Sequence, residues 1–205
     1  GFNTYINVLS GESFNKGEYA DAPDVAGMAG YIFGDKMDGM LNAADVIQQN
    51  NLGVAAYFKP GMMLLTLREQ VLFDKALKTY STRWAFKHPS PWDFFHTIEN
   101  VSGEDLNWYW RSWALNTWKF DVAVKSVSSK EKNVANITLQ LLEKMPMPVT
   151  VKITDENGEV QTINLPVEVW QRGDTWTFPV QVKADIKEVV VDPDKKLPDM
   201  NFANN

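Results

Sequence analysis

Cysteine is absent from this sequence of 205 residues, and histidine occurs only twice. The absence of cysteine excludes disulfide bonds, thiolate metal sites and a cysteine nucleophile. The two histidines, His88 and His96, do not by themselves indicate a catalytic zinc site, because such a site usually takes three protein ligands and no third ligand is evident beside them. The sequence also lacks the metallopeptidase motif H-E-x-x-H, a G-x-S-x-G nucleophile elbow and a glycine-rich phosphate-binding loop.

Long apolar runs and an excess of basic charge are missing as well. No run of about 18 uncharged apolar residues occurs, so the sequence predicts no membrane-spanning helix. The formal net charge is −6, and no basic stripe accompanies the aromatic residues, so nucleic-acid binding is not expected. What remains is an ordinary globular composition, in a chain long enough for one large domain or two modest ones.

The spacing of the apolar residues changes near Lys119. Before this position it follows the period of an α-helix, and after it the period is two, as in β-strands. The sequence therefore predicts an α+β protein with two domains. These are a helical domain over residues 1–118 and an antiparallel β-sandwich over residues 119–205.

The helical domain is predicted to begin with a short helix that ends at Ser10 and Gly11. Its apolar stripe consists of Phe2, Tyr5, Ile6 and Leu9. Residues 11–30 are rich in Gly, Asp, Ala and Pro, which predicts an irregular connection. A second helix is expected over residues 37–50.

A strong helix follows, and Lys59, Pro60 and Gly61 mark its start, since proline is tolerated in the first turn of a helix. Its buried face is predicted to consist of Met63, Leu64, Leu67, Val71 and Leu72. The same helical spacing continues through Ala76, Leu77, Tyr80 and Trp84.

The next helix has a complete N-terminal signature. Ser90 can cap it, Pro91 fits its first turn, and Asp93 supplies a carboxylate near the positive end of the helix dipole. This helix should end at Gly103, and Asp105 then caps a last helix. The apolar residues of that last helix are Leu106, Tyr109, Trp110 and Trp113.

About six short strands are predicted after Lys119. Asn157 and Gly158 indicate a hairpin turn, because this pair accepts the positive φ angles that a tight turn needs. Gly173 and Asp174 indicate another turn. The alternating apolar positions are Phe120, Val122, Val124, Ile137, Leu139, Leu141, Val149, Val151, Ile153, Trp176, Phe178, Val180, Val182, Val189 and Val191.

Two groups of polar side chains could be functional, one as a metal site and one as paired carboxylates, and for each we favour the simpler interpretation. His96 and Glu99 lie one helical turn apart, but no third ligand is evident, so a surface or half-buried pair is the simpler interpretation. Four acids dispersed in predicted loops are expected to face water. They are Asp21, Asp24, Asp35 and Asp38.

Three segments together resemble the M1 (gluzincin) family of zinc aminopeptidases. Residues 1–5 (GFNTY) are similar to the stretch that in this family directly follows the third zinc ligand, a glutamate. Residues 56–61 (AYFKPG) resemble the family's Tyr-x-Lys-Gly segment, with Lys-Pro-Gly in place of Lys-Gly. Residues 80–113 give the most specific match, to a bacterial branch of the family. The matching stretches are WAFKHPSPWDFF (84–95), ENVSGEDL (99–106) and WYW (108–110).

The resemblance implies that residues 1–118 are the helical C-terminal part of a thermolysin-like catalytic domain, with the β-sandwich following in the family's domain order. It also implies that Tyr57 is the catalytic tyrosine. In the family, this neutral hydroxyl donates a hydrogen bond to the oxyanion as a zinc-activated water attacks the peptide carbonyl. The alternative is that Tyr57 is an ordinary aromatic residue at a helix entrance. Most aromatic residues of the third segment are expected to pack in the core.

The parent enzyme implied by this resemblance removes N-terminal residues from peptides. In it, two histidines and a glutamate would hold zinc and a second glutamate would be the general base, all outside this chain and upstream of Gly1. We therefore expect no zinc and no peptidase activity in the isolated chain, and self-association through the face that the missing part would cover. The resemblance favours a periplasmic or secreted location. The alternative function is a non-catalytic interaction module derived from the same family.

Overall fold

The computed structural model describes residues 1–16, 18, 22–34, 36–131 and 133–205. The chain forms two compact units, Gly1–Thr117 and Trp118–Asn205. Helices account for 39% of the chain and strands for 22%, and the strands form two antiparallel sheets. This mixed architecture is compatible with the predicted α+β class.

Seven α-helices lie in the described part of the first unit, here called the helical unit. They are α1 (Phe2–Asn15), α2 (Ala29–Ile32), α3 (Gln49–Gly53), α4 (Lys59–Gln70), α5 (Phe73–Trp84), α6 (Pro91–Ser102) and α7 (Asn107–Trp113). A 3₁₀ turn at Ala26–Met28 precedes α2, and a π-helical turn at Val54–Phe58 joins α3 to α4. None of the described helices is long and apolar enough to cross a bilayer.

Helix α1 is longer than predicted and buries a different face. It ends at Asn15, although the sequence predicts an irregular connection over residues 11–30. That prediction is wrong for residues 11–15, which belong to α1, and for residues 29 and 30, which belong to α2. Phe2 and Ile6, predicted on the apolar stripe, remain nearly half exposed. The buried residues of α1 are Tyr5, Val8 and Gly11. Residues 17 and 19–21 of the predicted connection lie outside the described residues.

Helices α1 and α4 approach each other closely at two glycines. A Cβ atom on Gly61 would lie 2.8 Å from Cγ2 of Thr4, and one on Gly1 would lie 2.9 Å from Cβ of Pro60. Both distances are shorter than carbon atoms tolerate in a packed interior. The close approach therefore depends on the missing side chains at these positions.

The helix predicted over residues 37–50 is wrong, since this fully described stretch forms turns until α3 begins. Asp38 organises the turns: its buried carboxylate accepts hydrogen bonds from the Asn51 side chain at 2.8 Å and from the main-chain nitrogen of Gln48 at 3.1 Å. The Tyr31 hydroxyl donates to the main-chain carbonyl of Asp38. The bond from Asn51 holds the pKa of Asp38 below its usual value.

The expectation that the dispersed acids face water is correct for one of them and wrong for another. Asp24 is exposed and accepts a hydrogen bond from the main-chain nitrogen of Gly27 at 2.7 Å. Asp38 is buried and serves as the local acceptor of this loop, because carboxylates that gain several donors can be withdrawn from water. Asp21 and Asp35 lie outside the described residues.

The long helix predicted from Lys59 onward is two helices. Its buried face begins as predicted, with Met63, Leu64 and Leu67. The chain then leaves the helical course at Val71, which takes an extended conformation, and Leu72 is 62% exposed instead of buried. The break places Phe73 in the core, where its ring meets that of Tyr5 edge to face at 5.4 Å.

The termini of α6 confirm the sequence signals. The Ser90 hydroxyl accepts from the Asp93 main-chain nitrogen, and the Asp93 carboxylate accepts from the Ser90 main-chain nitrogen at 2.8 Å, which is a complete capping box. Gly103 ends the helix with φ 78°. The cap predicted at Asp105 is wrong by one position, because Leu106 is the N-cap residue of α7 and has no side-chain cap; Asp105 instead accepts from the main-chain nitrogen of Asn107 at 2.9 Å.

Five of the ten aromatic residues in the segment 80–113 are buried, so the expectation that most of them pack in the core is met only in part. Phe94, Phe95 and Trp110 are buried, and the rings of Phe95 and Trp110 stack with centroids 4.4 Å apart. Phe86 is fully exposed and Trp92 is half exposed. The remaining three are partly buried; they are Tyr80, Trp84 and Trp108.

The second unit contains six described strands, as the alternating pattern predicts. They are β1 (Val122–Glu131), β2 (Val134–Leu141), β3 (Val149–Asp155), β4 (Val160–Leu165), β5 (Thr175–Gln181) and β6 (Ile186–Val191). One sheet has the strand order β1-β2-β5 and the other β4-β3-β6, with antiparallel pairing throughout. This sandwich-like pair of sheets buries alternate residues of β2 and β3.

The predicted hairpin turn joins β3 to β4. Gly158, with φ 81°, supplies the positive angle. The carboxylate of Asp155 accepts from the main-chain nitrogens of Asn157 and Glu159, each at 2.9 Å. The turn is therefore specified by local residues, which is why the sequence pattern identifies it.

Candidate functional site

Tyr57 lies in the π-helical turn Val54–Phe58. The main-chain N–H of Lys59 closes this turn by donating to the carbonyl oxygen of Val54. A π-helical turn accommodates one extra residue in the helical course and occurs frequently at functional sites. The backbone around Tyr57 therefore differs from the plain helix start that the Lys-Pro-Gly pattern predicts.

The phenol of Tyr57 faces outward. The side chain is 55% exposed, while Ala55 of the same turn is completely buried. Within the described part of the chain, the Tyr57 hydroxyl has no hydrogen-bond partner. Because a phenol can both donate and accept, this group is available to an external ligand.

The first residue of the chain lies beside this turn. The nitrogen of Gly1 donates to the carbonyl oxygen of Ala56 at 2.8 Å, across 55 positions of sequence. The same glycine packs on Pro60, as its close approach to that ring shows. The structure therefore brings together residues 1–5 and residues 56–61, two of the three segments that carry the family resemblance.

Lys59 is a buried cation directly after the turn. Its side chain is only 5% exposed, and its Nζ donates to the carbonyl oxygen of Asn116 at 3.1 Å. Burial lowers the pKa of Lys59 to about 8, because the charged form loses its hydration. Among the described residues no carboxylate forms a salt bridge with this ammonium.

An apolar cleft of about 320 Å³ opens next to the turn, within the helical unit. Ala56 and Pro60 contribute to its lining on one side, and Phe2, Tyr80 and Phe94 are among its aromatic lining residues. Apolar walls with few polar groups are typical of sites that receive an apolar side chain or ring.

The predicted His96–Glu99 pair does not act as a unit. His96 is exposed, whereas Glu99 accepts hydrogen bonds from Trp110 Nε1 at 3.1 Å and from the main-chain nitrogen of Leu106 at 3.3 Å. Glu99 therefore ties α6 to the start of α7. His88 is exposed, and over the described residues no group of three or more His, Asp or Glu side chains could hold a metal ion.

The sequence points to Tyr57 and marks Lys59 as part of a helix start, but it does not predict the burial of Lys59 against Asn116. The only available signal is the position of Lys59 between Phe58 and Pro60, where a charged side chain has few polar neighbours in sequence. Burial of that lysine depends on a carbonyl group 57 residues away, and no local pattern reports such a distant contact.

No protein-family model matches this chain, and a search of curated proteins found no match either. The family resemblance therefore stands on the three sequence segments.

Proposed function

We propose that the helical unit is the C-terminal part of the thermolysin-like catalytic domain of an M1-family zinc aminopeptidase, with Tyr57 as its catalytic tyrosine. The observation that carries this proposal is the hydrogen bond from the Gly1 nitrogen to the Ala56 carbonyl, 2.8 Å long. In such an enzyme the metal and the tyrosine act on the same oxyanion, so the segments that carry them must be neighbours. The contact meets this requirement.

The proposed role of Tyr57 is to donate a hydrogen bond to the oxyanion that develops on the peptide carbonyl. A neutral hydroxyl suits this task, since it stabilises charge that exists only in the transition state. The Tyr57 hydroxyl makes no bond within the described chain that would have to break first. The apolar cleft beside the turn would exclude water from one side of the substrate.

The described residues do not form a zinc site of their own, because Glu99 already holds Trp110 and Leu106 and no other suitable cluster occurs among them. By the family resemblance, the metal ligands and the general base would come from residues outside this chain. Zinc, when bound in the parent, would supply an activated water. This chain would contribute the donor Tyr57 and part of the cleft wall.

The coding sequence upstream of Gly1 tests this proposal directly. We expect H-E-x-x-H, then about eighteen residues, then a glutamate immediately before Gly1, which is the ligand order expected of this family. We also expect the isolated chain to release no product from an aminoacyl reporter. Turnover that a chelator abolishes would contradict the assignment of the ligands to another part of the parent.

The second candidate function is an interaction module that has lost catalysis. It is favoured by the exposure of large apolar side chains on the helical unit, above all Phe14 and Phe86. Degenerate residues at the upstream ligand positions would support this function, whereas intact ligands would support the enzyme. Self-association would appear as a mass well above 23.3 kDa in size-exclusion chromatography with light scattering.

A further inference from the structure

Lys59 contacts two distant parts of the helical unit at once. Its main-chain N–H closes the π-helical turn on Val54, and its ammonium reaches the carbonyl of Asn116 at 3.1 Å. Asn116 is itself fixed, since its side-chain amide donates to the carbonyl of Arg111 in α7 at 2.8 Å. The turn that carries Tyr57 is therefore tied to the C-terminal end of α7.

The chemistry of Lys59 is unusual for a packing residue. A buried ammonium without a carboxylate partner is costly, and an apolar side chain of similar length would fill the same space without that cost. The lowered pKa reflects this cost. A side chain with a packing role alone does not need a charge. The charge of Lys59 is therefore explained by the hydrogen bond that its ammonium donates to the carbonyl oxygen of Asn116.

Tyr57 has no comparable tether. Its side chain is mostly exposed and its hydroxyl has no partner among the residues that the structure describes. The direction of the phenol is consequently set by the backbone of the turn. If the π-helical turn relaxed to a regular α-helix, the register would change by one residue, which rotates a side chain by about 100° around the helix axis.

We propose that Lys59 is a positioning residue for Tyr57, which holds the π-helical turn in place through its hydrogen bond to the carbonyl of Asn116. This inference rests on the proposed role of Tyr57, but it concerns the geometry of this chain alone. It can therefore be tested without metal, substrate or turnover.

The test compares the chain with its Lys59→Met, Lys59→Arg and Lys59→Gln variants, and with Lys75→Met, which removes an exposed lysine from α5. Amide hydrogen exchange reports on the Lys59 N–H that closes the turn. The ¹H–¹³C ring signal of Tyr57, in a chain with ¹³C-labelled tyrosine, reports on the environment of the phenol. The Tyr57→Phe variant assigns that signal among the six tyrosines.

We expect Lys59→Met to exchange the turn amides at least about tenfold faster and to shift or broaden the Tyr57 signal, while α5 and α6 keep their protection. Lys59→Arg, which keeps the charge and its donors, should restore both signals more fully than Lys59→Gln, which keeps only neutral donors on a shorter stem. Lys75→Met should change neither signal.

Three results would overturn the inference. The Tyr57 signal and the turn amides could remain unchanged in Lys59→Met. Protection could be lost uniformly over the helical unit, or all three Lys59 variants could fail to fold, and Lys59 would then hold the whole unit instead of the turn. Failure of the proposed function looks different: the turn would loosen as expected, but Tyr57→Phe would leave the activity of the parent enzyme unaffected.

Discussion

The nitrogen of Gly1 and the carbonyl oxygen of Ala56 lie 2.8 Å apart, although 55 positions of sequence separate these residues. The contact fixes the start of α1 against the π-helical turn that carries Tyr57. Small residues make the approach possible, because Gly1 and Gly61 leave room for Pro60 and Thr4.

The packing of α1 on α4 should make Gly61→Ala destabilising. A Cβ there would lie 2.8 Å from Thr4 Cγ2, and overpacking of this kind costs about 1–3 kcal/mol. Gly53→Ala in α3 is the matched control, because its Cβ would meet nothing within 4 Å. That variant should gain about 0.5–1 kcal/mol from helix propensity. Urea unfolding measures the free energy of unfolding of the two variants. Equal changes for Gly61→Ala and Gly53→Ala would contradict the close approach of α1 and α4.

Removal of the Tyr57 hydroxyl should affect catalysis without affecting the fold. In the full-length parent we expect Tyr57→Phe to lower kcat about 100- to 1,000-fold with little change in KM, since the donor acts only in the transition state. In the chain described here the same substitution should leave the free energy of unfolding within about 0.5 kcal/mol, because the hydroxyl has no internal partner. Steady-state kinetics and urea unfolding check the two parts separately. A parent enzyme with unchanged kcat would remove Tyr57 from the proposed site.

Lys59 should make stability depend on pH in the alkaline range. Its pKa falls from 10.5 to about 8 on folding, so between these values the unfolded chain holds a proton that the folded chain has released. The free energy of unfolding should therefore rise by about 1.4 kcal/mol per pH unit between these two pKa values. Below about pH 8 the folded chain keeps the charged lysine buried, and the destabilisation by this burial is then complete.

Chemical denaturation from about pH 7 to pH 10 measures the free energy of unfolding of the original chain and of Lys59→Met. The difference between the two isolates the contribution of Lys59, because the contributions of the other titratable groups cancel. Lys75→Met, an exposed control, should give a difference that does not vary with pH. A flat difference for Lys59→Met as well would show that Lys59 titrates normally.

The junction of α6 and α7 should depend on Glu99. Its carboxylate accepts from Trp110 Nε1 and from the Leu106 main-chain nitrogen, and hydrogen bonds to a charged acceptor contribute about 1.5–3 kcal/mol. We expect Glu99→Ala to destabilise the helical unit by that amount, and Glu104→Ala, at an exposed position, to have almost no effect. Thermal unfolding followed by near-ultraviolet circular dichroism would report the loss of Trp110 packing. Equal melting temperatures for the two variants would contradict the role of Glu99.

Local signals in the sequence predicted local structure correctly. Ser90 and Asp93 form a capping box within one turn, and Gly103 ends the same helix with φ 78°. The hairpin between β3 and β4 is set by Asp155 and Gly158. In each case the interacting residues are within a few positions of each other, so their chemistry can be read directly from the sequence.

The errors occurred where distant contacts overrode local preference. Residues 37–50 have a helical pattern, but buried Asp38 is held by Asn51 and Gln48 in a set of turns. Leu72 fits the stripe of a long helix, yet the chain breaks before it and places Phe73 in the core instead. Tertiary packing decides such cases because propensity contributes less than about 1 kcal/mol per residue.

The sequence by itself determined the change from helical to strand periodicity, the strand pattern and the termini of α6, since each depends on periodicity or on neighbouring residues. The choice of Tyr57 as a candidate came from the resemblance of residues 56–61 to the M1 family. Only the tertiary structure decided that Gly1 meets Ala56, that Tyr57 lies in a π-helical turn, and that Lys59 is buried against Asn116. The physical reason is that these features depend on atoms far apart in the chain. Their energies arise from packing and desolvation, which exist only once the helical unit has formed.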